Sequence, residues 1–254
     1  MSYPHSGQVN TVPGLCALLL AGGEGTRIRA LFPDIPKPMI PIGGLPVSEW
    51  IIRLWANQGV TRFILSTGYR GNVIADYFSV PRFSGLRIEC LQEAVPLGTA
   101  GAITFVARQT PLSDPFLVGN ADSLSQVDLE AGLHHLADTS ADVLIFTAEK
   151  QDTFQYGRIV TDAQSTIVAF EEKVPGRGQV NAGVYLFRLH ALQRFAEQMP
   201  LSLEHDVFPK LLKEGVTLCA RPLDVDFLDI GTPSGYAAAD AFLKTQRLVS
   251  DTTT

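Results

Sequence analysis

The chain has 254 residues, 46% of them hydrophobic, enough to bury a sizeable core in one large domain. Twenty-six acidic against twenty basic side chains leave a net charge of −6, the wrong sign for the broad basic footprint of a nucleic-acid binder, so any phosphate must be met locally. Cys16, Cys90 and Cys219 are odd in number, far apart and set in apolar segments, which suggests neither a disulfide framework nor a zinc site and fits a reducing cytoplasm.

Residues 1–14 are polar and aperiodic and read as a disordered leader, so the fold is expected to begin at Leu15. Leu15 to Ala21 reads as a buried strand: no Lys or Arg precedes it, as a signal peptide would require, and no stretch approaches the ~20 apolar residues of a membrane span. A glycine cluster follows. Pro46 then opens a predicted helix whose Val47, Trp50, Ile51, Leu54 and Trp55 share one face, with Gly59 at its end. "RFILST" (strand), a weaker helix ending near Tyr77 and Phe78, "LRIECLQE" (strand), Thr99 to Arg108 (helix), "PFLVGNAD" (strand and loop), Asp128 to Leu136 (helix) and "DVLIFTAE" (strand) continue the alternation. Such alternation predicts a mostly parallel sheet covered on both faces.

From about Gly157 the pattern changes. "GRIVTDAQSTIVAFEEK" reads as two strands joined by a polar turn and "NAGVYLFR" as another; helices are expected over Leu189 to Gln198 and His205 to Glu214, then "VTLCARPL" and "DFLDIGTP". A last helix runs from Pro233 to about Arg247 with Thr232 as N-cap. There is no internal repeat. The five histidines show neither metal-ligand spacing nor a nucleophile partner.

The glycine cluster after the first strand suggests backbone amides approaching a phosphate, yet both common nucleotide motifs fail. A dinucleotide fingerprint needs a small residue where Ile28 stands, and a P-loop needs Gly-Lys-Ser/Thr where Arg27 or Ile28 stands. What remains is Gly22-Gly23-x-Gly25-Thr26-Arg27, followed ten residues after the arginine by Lys37 within Pro36-Lys37-Pro38. Together these resemble the signature of the sugar-1-phosphate nucleotidyltransferases, also called nucleotide-sugar pyrophosphorylases. Short blocks in the family's order extend the resemblance from Leu15 to about Tyr236.

The resemblance implies a Rossmann-like, doubly wound, mostly parallel α/β sheet of GT-A-like type. A single domain over 15–250 would hold a nucleotide-binding half (15–150) and a mixed α/β sugar-binding half (151–250). It implies an enzyme in which a sugar 1-phosphate oxygen attacks the α-phosphorus of a nucleoside triphosphate and pyrophosphate leaves. That chemistry needs positioning and charge neutralisation rather than a general base, because the attacking phosphate, with a second pKa of about 6, is already ionised at neutral pH.

Residue by residue, the resemblance gives catalytic roles to Arg27, Lys37 and Lys173, and nucleotide contacts to Leu20, Ala21, Gly22, Gly23, Gly25 and Thr26 in the loop. Glu93, Leu97, Gly98, Thr99, Ala100 and Gly101 in "EAVPLGTAGAI", with Asn120, join the nucleotide set. Tyr156, Gly157, Glu172, Asn181, Ala182 and Gly183 would border the sugar, and Asp122 and Asp229 would hold Mg²⁺, the implied cofactor. Ala121, Phe227 and Val174 depart from the usual glycine, tryptophan and proline at their positions.

Among the family's branches the blocks look most like bacterial D-glycero-α-D-manno-heptose 1-phosphate guanylyltransferases, with mannose-1-phosphate guanylyltransferases as near neighbours. That implies GTP and a sugar 1-phosphate as partners, with no nucleic acid and no membrane, in the cytoplasm, and GDP-heptose for surface polysaccharide. A homodimer is compatible with the sequence, which does not fix the oligomeric state. The alternative from another class is a non-catalytic regulatory paralogue that binds nucleotide sugar, and retention of Arg27, Lys37, Lys173, Asp122 and Asp229 weighs against it.

Overall fold

A computed structural model describes residue 12, residues 14–225 and residues 227–245. Most of the expected leader and the end of the last predicted helix, including Arg247, lie outside the described residues. Val12, within the segment expected to lie off the fold, is buried and donates its N–H to Gln58 O (3.2 Å), so this residue belongs to the fold.

In chain order the elements are β1 (Cys16–Ala21), β2 (Pro41–Ile42), β3 (Leu45–Pro46), α1 (Val47–Ala56), β4 (Arg62–Thr67), α2 (Gly71–Phe78), β5 (Arg87–Gln92), α3 (Gly98–Gln109), β6 (Phe116–Asn120), β7 (Ser123–Leu124), α4 (Leu129–Asp138) and β8 (Val143–Lys150). There follow β9 (Arg158–Thr161), β10 (Ile167–Glu171), β11 (Gly178–Phe187), α5 (Phe208–Lys213), β12 (Leu218–Pro222), β13 (Leu228–Asp229) and α6 (Pro233–Thr245).

One nine-stranded sheet runs through both halves in the order β10-β9-β11-β6-β1-β4-β5, with β8 pairing β11 and β12. Strands β6, β1, β4 and β5 are parallel, whereas β11 runs antiparallel to β6 and β8. Strand alternation sorts the core: Ala17 and Leu19 point into a cluster with Trp50, Trp55 and Leu243, while Cys16 and Leu18 point into the opposite one with Ile103, Val106 and Phe208. Both faces are thus covered, which is why β1 reads as an uninterrupted apolar run.

Three expected helices change shape. Pro46 does not open α1 but pairs with Pro41 across a two-strand ladder and serves as the helix N-cap. Leu189 to Gln198 forms only a 3₁₀ turn over Leu189–Arg194, because Phe195 turns extended and Lys210 Nζ binds Arg194 O (2.7 Å) where a helix would continue. The stretch from His205 divides into a π-type turn over Leu203–Val207 and α5, since Pro209 has no N–H for an α-helical ladder running through it. Asp128 caps α4 from outside it, accepting from Ala131 N (2.9 Å), and Thr232 Oγ1 accepts from Gly235 N (3.1 Å) at the start of α6. No helix among the described residues is long and apolar enough to cross a membrane.

Candidate active site

The carboxyl ends of the parallel strands deliver the site. β1 ends at Ala21 with β4 on one side and β6 on the other, so chain connections leave in opposite directions and a crevice opens between them. A cavity of about 320 Å³ lies there, lined by Leu20 and Ala21 at the end of β1 and by Gly22 and Gly23 of the loop that follows. Glu93 and Asn120 line it from the ends of β5 and β6, Gly98 and Thr99 from the start of α3, and Lys37 and Asp122 close one side.

Glu93 is only 8% exposed. Its Oε1 accepts from Ser66 Oγ (2.8 Å) and its Oε2 from Leu97 N (3.2 Å). A side chain at position 22 would place its Cβ 2.7 Å from Glu93 Oε1, so glycine is required for the first loop to pass this carboxylate.

Four expected nucleotide residues do not line the cavity: Gly25, at φ +63, packs under the stem of Lys37, Thr26 is exposed, and Ala100 and Gly101 are buried in the first turn of α3, where both donate their N–H to Leu201 O. The turn over Lys37–Met39 aims Lys37 inward, where its ammonium pairs with Asp122 Oδ2 and lies 3.7 Å from Asp229 Oδ1. Asp122 follows β6 directly, and β13 pairs with β7 to bring Asp229 opposite Ser123. Ladder pairing thus joins two carboxylates far apart in sequence. Arg27 is 66% exposed, with Nη2 3.8 Å from Asp229 Oδ2; it lines not the first cavity but an adjoining groove of about 780 Å³, together with Asp229 and Tyr156.

The sugar set falls into two groups. Tyr156 makes an edge contact with Phe227 (centroids 6.4 Å), and the ammonium of Lys150 stands 4.7 Å from the centre of the Phe227 ring. Gly157 lies against Glu172, a Cβ there falling 3.1 Å from Oε1, and Lys173 is exposed in a left-handed turn at φ +55. Arg158 anchors this loop by donating to Pro175 O (2.8 Å). Asn181 and Gly183 sit in an irregularity of β11, and Gly183, at φ +73, passes so close to Asn120 that a Cβ would stand 2.5 Å from Nδ2. This is where the second group touches the wall of the first cavity, which Asn120 lines.

A family model described as nucleotidyl transferase matches residues 16–246. The chain belongs to the nucleotidyl transferase family. It is 36% identical over 230 residues to a mannose-1-phosphate guanylyltransferase of Mycobacterium tuberculosis, covering 89% of this chain and 64% of that protein. It is 33% identical over 221 residues to a D-glycero-alpha-D-manno-heptose 1-phosphate guanylyltransferase of Campylobacter jejuni, covering 87% of this chain and 96% of that one. Among solved structures, HddC of Yersinia pseudotuberculosis complexed with GMP-PN superposes with a TM-score of 0.78 at 29% identity, over 90% of this chain and 99% of that one. The motif resemblance and the mixed α/β fold with its parallel central strands are met in these family members.

Glu24, Pro38, Pro96 and Ala102 also line the cavity but were not singled out from the sequence. Pro38 and Pro96 lie inside the quoted blocks, so their neighbours carried the signal. Tyr185 lies inside the quoted "NAGVYLFR" strand, whereas Glu204 comes near the site through the packing of the turn over Leu203–Val207 on α3.

Proposed function

We propose that the chain transfers the guanylyl group of GTP to a sugar 1-phosphate, with D-glycero-α-D-manno-heptose 1-phosphate as acceptor, giving GDP-heptose and pyrophosphate. The carrying observation is Glu93, a nearly buried carboxylate in the cavity wall with one protein donor on each oxygen. A carboxylate accepts at about four lone-pair sites, so each oxygen keeps one for a ligand. Guanine presents adjacent N1–H and N2–H donors, which suit that pair. Uracil and thymine present one N–H between two carbonyl oxygens, which a carboxylate repels.

Arg27 and Lys37 bring positive charge to the triphosphate, and the amides of Gly22 and Gly23 approach its oxygens. Lys173 meets the 1-phosphate of the acceptor, Glu172 takes its hydroxyls, Tyr156 and Gly157 pack against the sugar, and Asn181 and Gly183 border it. Asp122 and Asp229 suit Mg²⁺: they are hard oxygen donors that already share one cation, the Lys37 ammonium. Among the described residues no group of three or more His, Cys, Asp or Glu forms a cage, so phosphate oxygens and water would complete the shell. When bound, Mg²⁺ supplies neutralisation of the phosphate charge.

The heptose acceptor is supported by the match over 96% of the Campylobacter protein's length, and mannose 1-phosphate is the second reading, supported by the higher identity to the Mycobacterium protein. The test is pyrophosphate release with four nucleoside triphosphates against heptose, mannose and glucose 1-phosphates. GTP with heptose 1-phosphate is expected to give the highest kcat/KM. Preference for UTP or dTTP overturns the guanylyl reading, and preference for mannose 1-phosphate replaces the acceptor.

A further inference from the structure

A chain of hydrogen bonds through Glu204 and Tyr185, to which no role has been assigned so far, joins the two half-sites. Thr99, which lines the nucleotide cavity, donates its hydroxyl to Glu204 Oε2 (3.3 Å), and Glu204 Oε1 accepts from Tyr185 Oη (3.0 Å). Tyr185 Oη accepts in turn from Asn181 Nδ2 (2.8 Å), and Asn181 Oδ1 accepts from the N–H of Gly183 (2.8 Å). Ser202 Oγ is a second donor to Glu204 Oε2 (3.0 Å), and Leu203 N donates to Thr99 Oγ1 (2.8 Å).

Protons in this chain can point only one way. A carboxylate only accepts, and Tyr185 has a single hydroxyl proton to give it. Tyr185 is fully buried, and burial first, then the neighbouring Glu204 charge, hold its pKa well above the ordinary value, so the proton stays. Having spent that proton on Glu204, Oη offers Asn181 only lone pairs. Asn181 must therefore turn its nitrogen to Tyr185 and its oxygen to Gly183. The two ends of an amide are nearly equal in shape, so this polarity, not packing, decides which end faces which way.

We propose that Glu204 is a positioning residue: through Tyr185 it sets the amide orientation of Asn181 toward the sugar, and through Thr99 it ties that orientation to the nucleotide cavity. The assignment rests on the sugar-bordering role of Asn181 given above. Backbone contacts support the link, since Leu201 O accepts from Ala100 N (2.9 Å) and Gly101 N (3.2 Å), and Leu201 N donates to Leu97 O (2.9 Å). The segment carrying Glu204 is thereby clipped to the loop that lines the nucleotide cavity.

Tyr185→Phe removes one hydroxyl and keeps the ring, so it cuts the chain between Glu204 and Asn181 and leaves the Thr99 contact. The expected result is a sugar 1-phosphate KM raised about tenfold, the scale of one buried hydrogen bond left unmade, with the GTP KM little changed. Glu204→Ala is expected to raise both KM values. Glu204→Gln should stay near wild type, because its oxygen can face Tyr185 while its nitrogen donates to the two hydroxyls.

A second readout needs no substrate: hydrogen exchange at the Gly183 amide, followed by NMR on the full chain, should quicken about tenfold in Tyr185→Phe as its acceptor loses orientation. Unchanged Gly183 exchange, or an unchanged sugar 1-phosphate KM in Tyr185→Phe, overturns the proposal. Loss of activity in Glu204→Gln equal to that in Glu204→Ala also overturns it, by pointing to direct contact between the charge and substrate. If the wild-type protein releases no pyrophosphate with any substrate pair, the functional reading fails on its own, and the Gly183 exchange still decides the positioning role.

Discussion

The ammonium of Lys37 pairs with Asp122 while also facing Asp229, so one side chain, 11% exposed, holds together two carboxylates delivered by separate strand ends. A cation already occupies the place between the two acids. Phosphate can draw Lys37 away only if another positive charge replaces it there.

Lys37→Ala should therefore separate metal affinity from turnover. With its competing cation gone, the carboxylate pair is expected to bind Mn²⁺ about tenfold more tightly in the absence of nucleotide, as read by electron paramagnetic resonance. Turnover should fall by ~10², the scale of one lost charge contact to the reacting phosphates. Weaker Mn²⁺ binding would show that Lys37 supports the metal site instead of competing for it.

Gly231→Ala tests the same contact from outside the motif. A Cβ at this buried position would land on the Lys37 ammonium and stand 2.8 Å from Asp229 Oδ1, which accepts from Gly231 N at 2.7 Å. The flexible end of Lys37 can swing aside, so the fold should survive with a nearly unchanged melting temperature. Turnover should drop toward that of Lys37→Ala, and a large loss of stability with intact specific activity would refute the steric reading.

Glu93→Gln replaces one acceptor by a donor in the cavity wall proposed to read the base. Ser66 Oγ can accept from the new amide nitrogen while Leu97 N keeps an oxygen partner, so the wall should remain folded. The ratio of kcat/KM for GTP over UTP is expected to fall at least tenfold, since a bidentate base contact is worth about 1–3 kcal/mol of discrimination. An unchanged ratio measured across both triphosphates would remove Glu93 from base selection.

Much of this arrangement is legible in the chain. Strand β1 and the loop after it announce themselves because a fully buried parallel strand needs a continuous apolar run, and "GGEGTR" and "PKP" lie close enough in sequence to be read as one pattern. What cannot be read is how distant segments face one another. Nothing local says that Arg27 lines the outer groove rather than the cavity, because that depends on where β13 meets β7, or that Gly25 supports the stem of Lys37, because that depends on how the first loop folds back on the Lys37 turn. Helix ends are hidden from the sequence for a related reason. The apolar spacing over Leu189 to Gln198 is real, but Lys210 satisfies the carbonyl of Arg194 from another segment and the turn stops there.

The last prediction concerns stability far from the cleft. Glu49 of α1 is fully buried and gathers Arg53 Nη2 (2.6 Å), Arg82 Nη2 (3.4 Å) and the hydroxyl of Tyr77. Glu49→Ala takes the acceptor from all three, but Arg53 and Arg82, 38% and 48% exposed, can turn to water, so the cost should be about 1–3 kcal/mol, the scale of the Tyr77 hydroxyl left unpaired, measured by urea unfolding. Burial, with the hydrogen bond to Glu49 and its charge next, pushes the Tyr77 pKa from 10.0 up to about 12. The folded state therefore keeps this proton after the unfolded state has begun to release it, so the stabilisation is complete below pH 10 and is lost as pH rises from about 10 to about 12. In Glu49→Gln the carboxylate charge beside Tyr77 is gone, its tyrosinate absorbance should appear at lower pH, and the alkaline fall in melting temperature should flatten. A Tyr77 titration unmoved by this substitution would show that burial alone raises its pKa.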